Sequence, residues 1–198
     1  YIPEYSEYLK HCEFDSVFKW HKRFFQVIES KNRPQRWLLK DPSHIGHIPS
    51  ILKTYPNAKF INIHRDPTEA MGSFCSLTKN IRSAFTKKIN TESIGKTVTD
   101  FWSHNLNKGL DNRSLLDSNN IVDVRYSDFV ESPLLEIKRV YANLQIDMTI
   151  ETENSIQQFL INGKSKSKLK HNYSLAEFGL NDRKIKDQFR DYMLKYDF

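Results

Sequence analysis

Short apolar segments that lead directly into helix-start signals constrain the fold of this chain more than any other feature. Residues 59–65 (KFINIHR) alternate as a strand does, and Asp66 with Pro67 provides a favourable helix N-cap and first helical residue. Residues 36–40 (RWLLK) and 121–125 (IVDVR) are predicted to be two further strands. Because helical segments separate these strands, the sequence predicts an α/β fold with a short parallel sheet flanked by helices.

The helical segments are interpreted as two regions of a single domain, 1–198. Residues 1–33 are predicted to form a helical cap, since apolar side chains recur at helical spacing from Tyr5 to Ile28. Residues 34–198 are predicted to form the core. Its helices are expected from Ser43 to Tyr55, from Pro67 to Lys79, and over 91–116, 133–144, 151–161 and 182–194.

Composition and charge narrow the class of protein. The chain has 198 residues, of which 38% are hydrophobic, enough for a folded core rather than a disordered chain. Its two cysteines, Cys12 and Cys75, offer neither a disulfide framework nor a metal-ligand set, and no apolar run approaches the length of a transmembrane helix. A cytoplasmic protein without a metal site is therefore expected. The formal net charge of +6 points to an anionic ligand.

The segment from Arg65 to Ser73 (RDPTEAMGS) has the properties of a phosphate site. An arginine at the end of a strand offers a planar fork matched to phosphate oxygens, and the helix beginning beside it offers N–H groups and a positive dipole end. The hydroxyl of Ser73 on that helix can complete the site. The alternative is an arginine paired with Asp66 and a serine packed within the helix.

Lys40 and His44 follow the first predicted strand, so parallel strands would place them at the same edge as Arg65. A lysine can stabilise charge that builds on a leaving oxygen, and a histidine can take a proton near neutral pH. His47 is a second candidate for the base. Taken singly, a surface lysine and a helix-capping histidine are the more frequent explanation of such residues.

Together these segments resemble the PAPS-dependent sulfotransferases, which use 3'-phosphoadenosine 5'-phosphosulfate (PAPS). Residues 36–77 are similar to the central signature of the branch with an LK-x-P-x-H element and a strand ending in HRDP. Residues 124–133 (VRYSDFVESP) resemble that family's strand end followed by a proline, and residues 171–180 (HNYSLAEFGL) resemble its HRYSLxDFGL segment. Each element alone is a weak pattern, but their order makes the resemblance specific.

The resemblance implies a three-layer fold of the P-loop-NTPase type and transfer of a sulfuryl group from PAPS to a hydroxyl or amine acceptor, without a metal. Arg65 and Ser73 match the pair that binds the 3'-phosphate of PAPS, and Tyr126 matches a tyrosine near the adenine. Lys40 matches the lysine near the transferred sulfuryl group, and His44 matches the general base. A small molecule, a glycan or a lipid would each fit as the acceptor.

Two of these matches depart from the family pattern. Lys40 and His44 are separated by four positions, whereas the cytosolic enzymes separate the lysine and histidine by two. Lys168 and Lys170 lie where cytosolic relatives carry an Arg-Lys-Gly phosphate contact, but the glycine is missing here. The basic run that contains them is also typical of a solvated loop.

The glycine-rich loop that holds the 5'-phosphosulfate in this family has no counterpart ahead of Lys40. The nearest look-alike, Gly95-Lys96-Thr97, lies in a helical pattern and has Asn90 where a Walker A loop needs glycine. The first strand and this loop are therefore expected to be missing, as in an N-terminally truncated chain. Such a chain is expected to be inactive by itself.

Two alternatives are a non-catalytic sulfotransferase-like scaffold and another P-loop-type nucleotide enzyme. The joint presence of Lys40, Arg65 and Ser73 disfavours the scaffold. A nucleotide enzyme would need a Walker A loop and acidic magnesium ligands, for which Asp123 and Asp128 are not clearly placed. Nucleic acid is not an expected partner, because the sequence has no recognisable DNA- or RNA-binding signature.

Overall fold

The computed structural model describes residues 2–31, 34–163 and 174–198, which form α-helices, short 3-10 helices and two strands. The strands are β1 (Phe60–His64) and β2 (Ile121–Arg125). The α-helices are α1 (Pro3–His11), α2 (Asp15–Glu29), α3 (Ile48–Thr54), α4 (Pro67–Ser83), α5 (Thr91–Asp111), α6 (Tyr126–Glu131), α7 (Pro133–Asn143), α8 (Ile150–Gly163), α9 (Asp182–Gln188) and α10 (Arg190–Tyr196). The 3-10 helices are Pro42–His47, Arg113–Leu115, Ser118–Asn120 and Leu175–Phe178.

The chain separates into two compact units. The first consists of residues 1–58 and 100–116, and the second of residues 59–99 and 117–198. Both strands belong to the second unit, whereas α5 contributes residues to each. The arrangement of a cap (1–33) and a core (34–198) within one domain stays a prediction.

β1 and β2 form a parallel sheet, as the sequence predicts. Phe60 pairs with Ile121 and His64 pairs with Arg125, so the two strands end at the same edge. The connection between them carries α4 and α5, which is the kind of crossover that a parallel pair needs. The described chain is therefore a mostly helical α/β structure with a two-stranded sheet.

α7 covers one face of β2 through a buried apolar cluster of Val122, Val124, Val140 and Leu144. On the same face of β1, Ile61 and Ile63 are 44% and 56% exposed. The opposite face of β1 ends in His64, whose side chain is only 2% exposed. β1 therefore buries a polar residue more completely than its isoleucines, and such a residue needs hydrogen-bond partners.

The predicted strand at 36–40 is wrong, because these residues are irregular and pair with no strand in the described structure. Leu38 is 86% exposed, and Trp37 packs its ring 4.4 Å from that of Phe25 and donates its indole N–H to Glu29. A short apolar run does not distinguish a strand from a segment lying against a helix. The argument that placed Lys40 at a sheet edge fails with this strand.

Prolines fix two helix starts where the sequence predicts them. Pro67 opens α4 and Pro133 opens α7, because a fixed φ suits the first helical residue. Asp66 caps α4, its carboxylate accepting a hydrogen bond from the Thr68 N–H at 2.8 Å. α4 continues to Ser83, one turn beyond the predicted end.

Three predicted helices differ in detail. The cap is interrupted between α1 and α2, so its helical pattern is not continuous. The helix expected from Ser43 is capped by Asp41, begins as the 3-10 helix Pro42–His47, and becomes α-helical only in α3. The helix expected over 182–194 divides into α9 and α10 at Phe189, a buried residue.

Candidate functional site

Arg65 and Tyr126 lie together at the ends of the two paired strands. Each follows the last residue of a strand, and those last residues, His64 and Arg125, are partners in the sheet. The guanidinium carbon of Arg65 lies 4.9 Å from the centre of the Tyr126 ring, and Tyr126 is 41% exposed. A cation beside an exposed aromatic face presents a charge for a phosphate and a surface on which a base can stack.

Arg65 also pairs with a carboxylate one turn along α4. Its Nε donates to Oε2 of Glu69 at 3.3 Å, and the Arg65 and Glu69 side chains are 36% and 62% exposed. An exposed ion pair of this spacing contributes little to stability, so an anionic ligand can displace Glu69. The carboxylate of Asp66 caps α4, and the anionic partner that Arg65 takes is Glu69.

The first turn of α4 offers a ligand fewer N–H groups than the sequence suggests. Pro67 has no N–H, and the next three N–H groups already donate to the carboxylate or carbonyl of Asp66, namely those of Thr68, Glu69 and Ala70. The capping is complete in the sense that no N–H of this turn is left without an acceptor. An anion beside Arg65 would therefore be held mainly by side chains.

Ser73 and two lysines complete the set of predicted phosphate ligands. Ser73 is half-buried on α4, and within the described structure its hydroxyl makes no hydrogen bond to Arg65. Lys168 and Lys170 lie outside the described residues. The structure thus brings Arg65 and Tyr126 together and places Ser73 in the second turn of the helix that follows Arg65.

Lys40 and His44 belong to the first unit and lie on either side of the Asp41 cap. Lys40 is exposed, and the half-buried ring of His44 has its centre 5.7 Å from that of Phe18. Burial lowers the pKa of His44 below its ordinary value of 6.5, although the charge of Asp41 acts to raise it. The imidazole is therefore mainly neutral at pH 7 and able to accept a proton.

His47, the second candidate base, lies against an aromatic ring. Its ring stacks on that of Phe14 with the centres 3.7 Å apart. Burial, aided by the charge of Lys108, lowers the pKa of His47 from 6.5 to about 4. A base with so low a pKa has little tendency to hold a proton at neutral pH. His44 is the stronger base of the two.

Sequence reasoning missed a buried polar cluster at the end of β1. His64 Nε2 lies 2.8 Å from Oδ1 of Asp123, His64 Nδ1 lies 2.9 Å from the hydroxyl of Tyr192, and the Tyr196 ring stacks on the imidazole with centres 3.7 Å apart. A cavity of about 350 Å³ opens against His64 and Asp123. The only signal in the sequence was the polar alternation of Asn62 and His64 along a strand.

The described parts of the chain contain neither a metal-binding cluster nor a membrane-spanning helix. No group of three or more histidine, cysteine, aspartate or glutamate side chains is placed there to hold a metal ion. None of the helices in those parts is both long enough and apolar enough to cross a membrane.

Comparison with known families identifies the family of this chain. A family model described as "Sulfotransferase family" matches residues 4–150. The chain belongs to the sulfotransferase family. The matched range contains residues 36–77 and 124–133, so the resemblance inferred from those segments is confirmed.

Solved sulfotransferase structures match the fold closely. STF9 from Mycobacterium avium superposes with a TM-score of 0.89 at 26% identity, over 100% of this chain and 51% of that one. STF1 from Mycobacterium tuberculosis H37Rv superposes with a TM-score of 0.85 at 27% identity, over 96% of this chain and 49% of that one. A sulfotransferase domain from the curacin biosynthetic pathway superposes with a TM-score of 0.51 at 14% identity, and this likeness supports the fold alone.

Curated sulfotransferases extend the comparison to a named activity. The omega-hydroxy-beta-dihydromenaquinone-9 sulfotransferase Stf3 of Mycobacterium bovis is 27% identical over 150 residues, and so is its counterpart in Mycobacterium tuberculosis CDC 1551. The match covers 72% of this chain and 38% of each relative. The chain therefore spans about half the length of the solved relatives and less of the curated ones.

Proposed function

We propose that this sulfotransferase takes part in the transfer of a sulfuryl group from PAPS to a hydroxyl or amine acceptor. The observation that carries the proposal is the pairing of Arg65 with the exposed ring of Tyr126, directly after two adjacent parallel strands. Ligands of parallel α/β sheets bind beyond the carboxyl ends of the strands. Family membership supplies the reaction class, and the pairing supports a nucleotide with an extra phosphate.

In the second unit, the proposed role of Arg65 and Ser73 is to bind the 3'-phosphate of PAPS, with Tyr126 against the adenine. The first-turn N–H groups of α4 are already engaged by Asp66, so the guanidinium must supply most of the binding energy. A charge-assisted hydrogen bond of this kind is worth about 1.5–3 kcal/mol. Lys168 and Lys170 remain candidates for a further phosphate contact.

In the first unit, Lys40 and His44 have the proposed chemical roles. The acceptor oxygen or nitrogen forms a bond to sulfur while the bond from sulfur to the phosphate oxygen breaks, and 3',5'-ADP leaves. Lys40 would stabilise the charge on the leaving phosphate. His44, neutral at pH 7 because burial lowers its pKa, would take the proton of the acceptor.

A lipid alcohol is the acceptor we propose to test first. The curated relative Stf3 is named for an ω-hydroxylated dihydromenaquinone, which is a lipid with a terminal hydroxyl. A glycan or a small phenol would undergo the same chemistry. The acceptor class is a separate question from the nucleotide site, because the nucleotide contacts do not depend on it.

The decisive experiment compares the binding of 3',5'-ADP and 5'-AMP to the 198-residue chain by calorimetry without magnesium. We expect Arg65→Ala to weaken 3',5'-ADP binding at least 10-fold, as loss of a charge-assisted contact predicts, and to leave 5'-AMP binding nearly unchanged. Arg183→Ala is the matched control, since Arg183 is a 92% exposed arginine of the same unit. Equal losses for both nucleotides in Arg65→Ala would refute the 3'-phosphate assignment.

Binding and turnover are expected to separate in this chain. The first glycine in the sequence is Gly46, so no glycine-rich 5'-phosphosulfate loop precedes Lys40. Loss of a single oxyanion donor typically costs about 10²–10³ in rate, and such a loop supplies several. We therefore propose that the 198-residue chain by itself binds the 3' side of the nucleotide without measurable sulfuryl transfer; steady turnover with PAPS would contradict this.

A further inference from the structure

The helix α2 carries an exposed apolar stripe, which consists of Val17, Trp20, Phe24 and Val27. These side chains are between 52% and 69% exposed. They lie three, four and three positions apart, so they fall on one face of the helix. A different face of α2, which includes the 5% exposed Phe18, packs within the first unit. The apolar stripe is therefore a second apolar face, and surface of this kind marks an interaction site.

Three exposed cations of α2 form a basic border beside the stripe, namely Lys19, Lys22 and Arg23. The guanidinium carbon of Arg23 lies 4.9 Å from the centre of the Trp20 ring, so the border adjoins the stripe directly. The same three cations and Lys53 of α3 line a cavity of about 320 Å³. This part of the first unit thus offers several positive charges to an anionic group next to an apolar surface.

The carboxylates of α2 lie at the two ends of the helix and have partners. Asp15, which also lines the cavity, accepts hydrogen bonds from Ser50 and Lys53. Glu29 accepts the indole N–H of Trp37. Between these ends the charged side chains of α2 are all positive. The charge that α2 presents beside its apolar stripe is therefore that of the basic border.

An anionic lipid bilayer complements both the apolar stripe and the basic border. The boundary between headgroups and acyl chains takes up the apolar face of a surface helix, while anionic headgroups attract the cations beside that face. Tryptophan, here Trp20, is a residue enriched at this boundary. A second copy of the chain fits less well, because a two-fold contact through this face would bring the same cations together.

We propose that α2 docks the protein on an anionic phospholipid bilayer, with the apolar stripe in the headgroup region and the basic border on the lipid phosphates. The contact is peripheral, since the helix lies in the plane of the surface. Neither the nucleotide nor the acceptor takes part in it. The docking therefore holds or fails independently of the proposed sulfuryl transfer.

The apolar part of the contact is tested by sedimentation of the 198-residue chain with phosphatidylcholine vesicles that contain about 30% phosphatidylglycerol. We expect Trp20→Ser/Phe24→Ser to weaken vesicle binding at least about 10-fold, because two large apolar side chains no longer leave water. Phe159→Ser/Ile161→Ser is the matched control, since both residues are exposed on α8 in the second unit. This control should bind as the unsubstituted chain does.

The basic border is tested by a second pair of variants with equal net charge. We expect Lys19→Gln/Arg23→Gln to weaken binding about 10-fold at low ionic strength, and the loss should shrink as salt screens the headgroups. Arg183→Gln/Lys186→Gln removes the same charge from exposed positions of α9 in the second unit. Because the net charge of the two variants is identical, a much smaller loss in this control assigns the effect to α2.

Three results would overturn the proposal. The first is no binding of the unsubstituted chain to the anionic vesicles, and the second is an equal loss in either variant and its control. The third is concentration-dependent dimerisation that Trp20→Ser/Phe24→Ser weakens while vesicle binding stays unchanged, which would assign the stripe to contact between copies. If circular dichroism shows that this stripe variant does not fold, the pair with equal net charge decides.

Discussion

Arg65 has two partners that a nucleotide would treat differently. Tyr126 offers the face of its ring, which leaves the edge of the guanidinium available, whereas Glu69 occupies Nε. A phosphate can bind through that same edge, with Nε and one Nη as donors. Glu69 therefore competes with the proposed ligand, and Tyr126 does not.

Substitution of Glu69 by glutamine tests this competition. We expect Glu69→Gln to raise the affinity for 3',5'-ADP about two- to five-fold, because an exposed ion pair is worth only ~0.5 kcal/mol and a negative charge beside the phosphate is also removed. Calorimetry at low ionic strength measures the change. Glu131→Gln, an exposed glutamate at the end of α6, is the control, and an unchanged affinity in Glu69→Gln would show that Glu69 is no competitor.

His47 predicts a pH dependence of stability. Its pKa lies near 6.5 in the unfolded chain and about 4 in the folded one, so between these values the unfolded state binds the extra proton. The free energy of unfolding should therefore fall as the pH is lowered from about 7 toward 4. In His47→Gln this slope of the unfolding free energy against pH should disappear. Thermal unfolding measured at several pH values from about 7 to 4 follows the change.

A matched substitution separates this effect from general acid sensitivity. His11 is exposed on α1 in an ion pair with Glu7, and because exposed ion pairs contribute little to stability, His11→Gln should change the slope much less than His47→Gln does. A slope that is the same in His47→Gln and the unsubstituted chain would mean that His47 titrates alike in both states.

At the level of helices and strands, the sequence predicts what local chemistry decides. β1, β2 and the starts of α4 and α7 follow from strand alternation and from prolines at helix starts, and each is found where expected. The strand at 36–40 fails because its true partner is the side of α2 at Phe25, a contact that no local pattern encodes. The place of Arg65 beside a strand end could be predicted, whereas the contact between His64 and Tyr192 could not, because these residues lie 128 positions apart in the sequence.

The helix α5 shows why a motif must be judged by its structural context. Gly95 of the false Walker-type motif lies in that helix, and a Cβ there would meet the carbonyl oxygen of Phe178 at about 2 Å. The glycine therefore permits close packing of the Leu175–Phe178 3-10 helix on α5. This packing accounts for the glycine without a role in phosphate binding.

Gly95→Ala should consequently destabilise the protein. We expect the free energy of unfolding to fall by about 1–3 kcal/mol, because backbone must move to admit the methyl group. Gly163→Ala is the control, since a Cβ at that helical position would meet nothing within 4 Å, and it should be neutral or slightly stabilising. Unfolding in denaturant measures the free energy of unfolding of both variants. Similar losses of free energy in the two variants would contradict the packing explanation.

At the level of the whole molecule, each compact unit carries one cysteine. Cys12 lies in the first unit and is partly exposed, whereas Cys75 lies in the second and is fully buried. Burial raises the pKa of Cys75 to about 11, so its reactive thiolate is scarce as well as inaccessible. The two thiols therefore report on different parts of the fold.

A thiol-labelling experiment should show this difference directly. In the native protein at neutral pH we expect only Cys12 to react, and Cys75 to become reactive only when denaturant unfolds the second unit. In Cys12→Ser the native protein should show no fast labelling at all. Fast labelling of both thiols in the native state would mean that the second unit opens readily.

The hydrogen-bonded cluster of His64, Asp123 and Tyr192 can be completed only late in synthesis. Arg65 and β1 leave the ribosome long before Tyr192, since His64 and Tyr192 are 128 positions apart. At about 5–20 residues per second, this interval lasts roughly 6–26 s. Throughout that time the end of β1 carries an imidazole without its α10 partner.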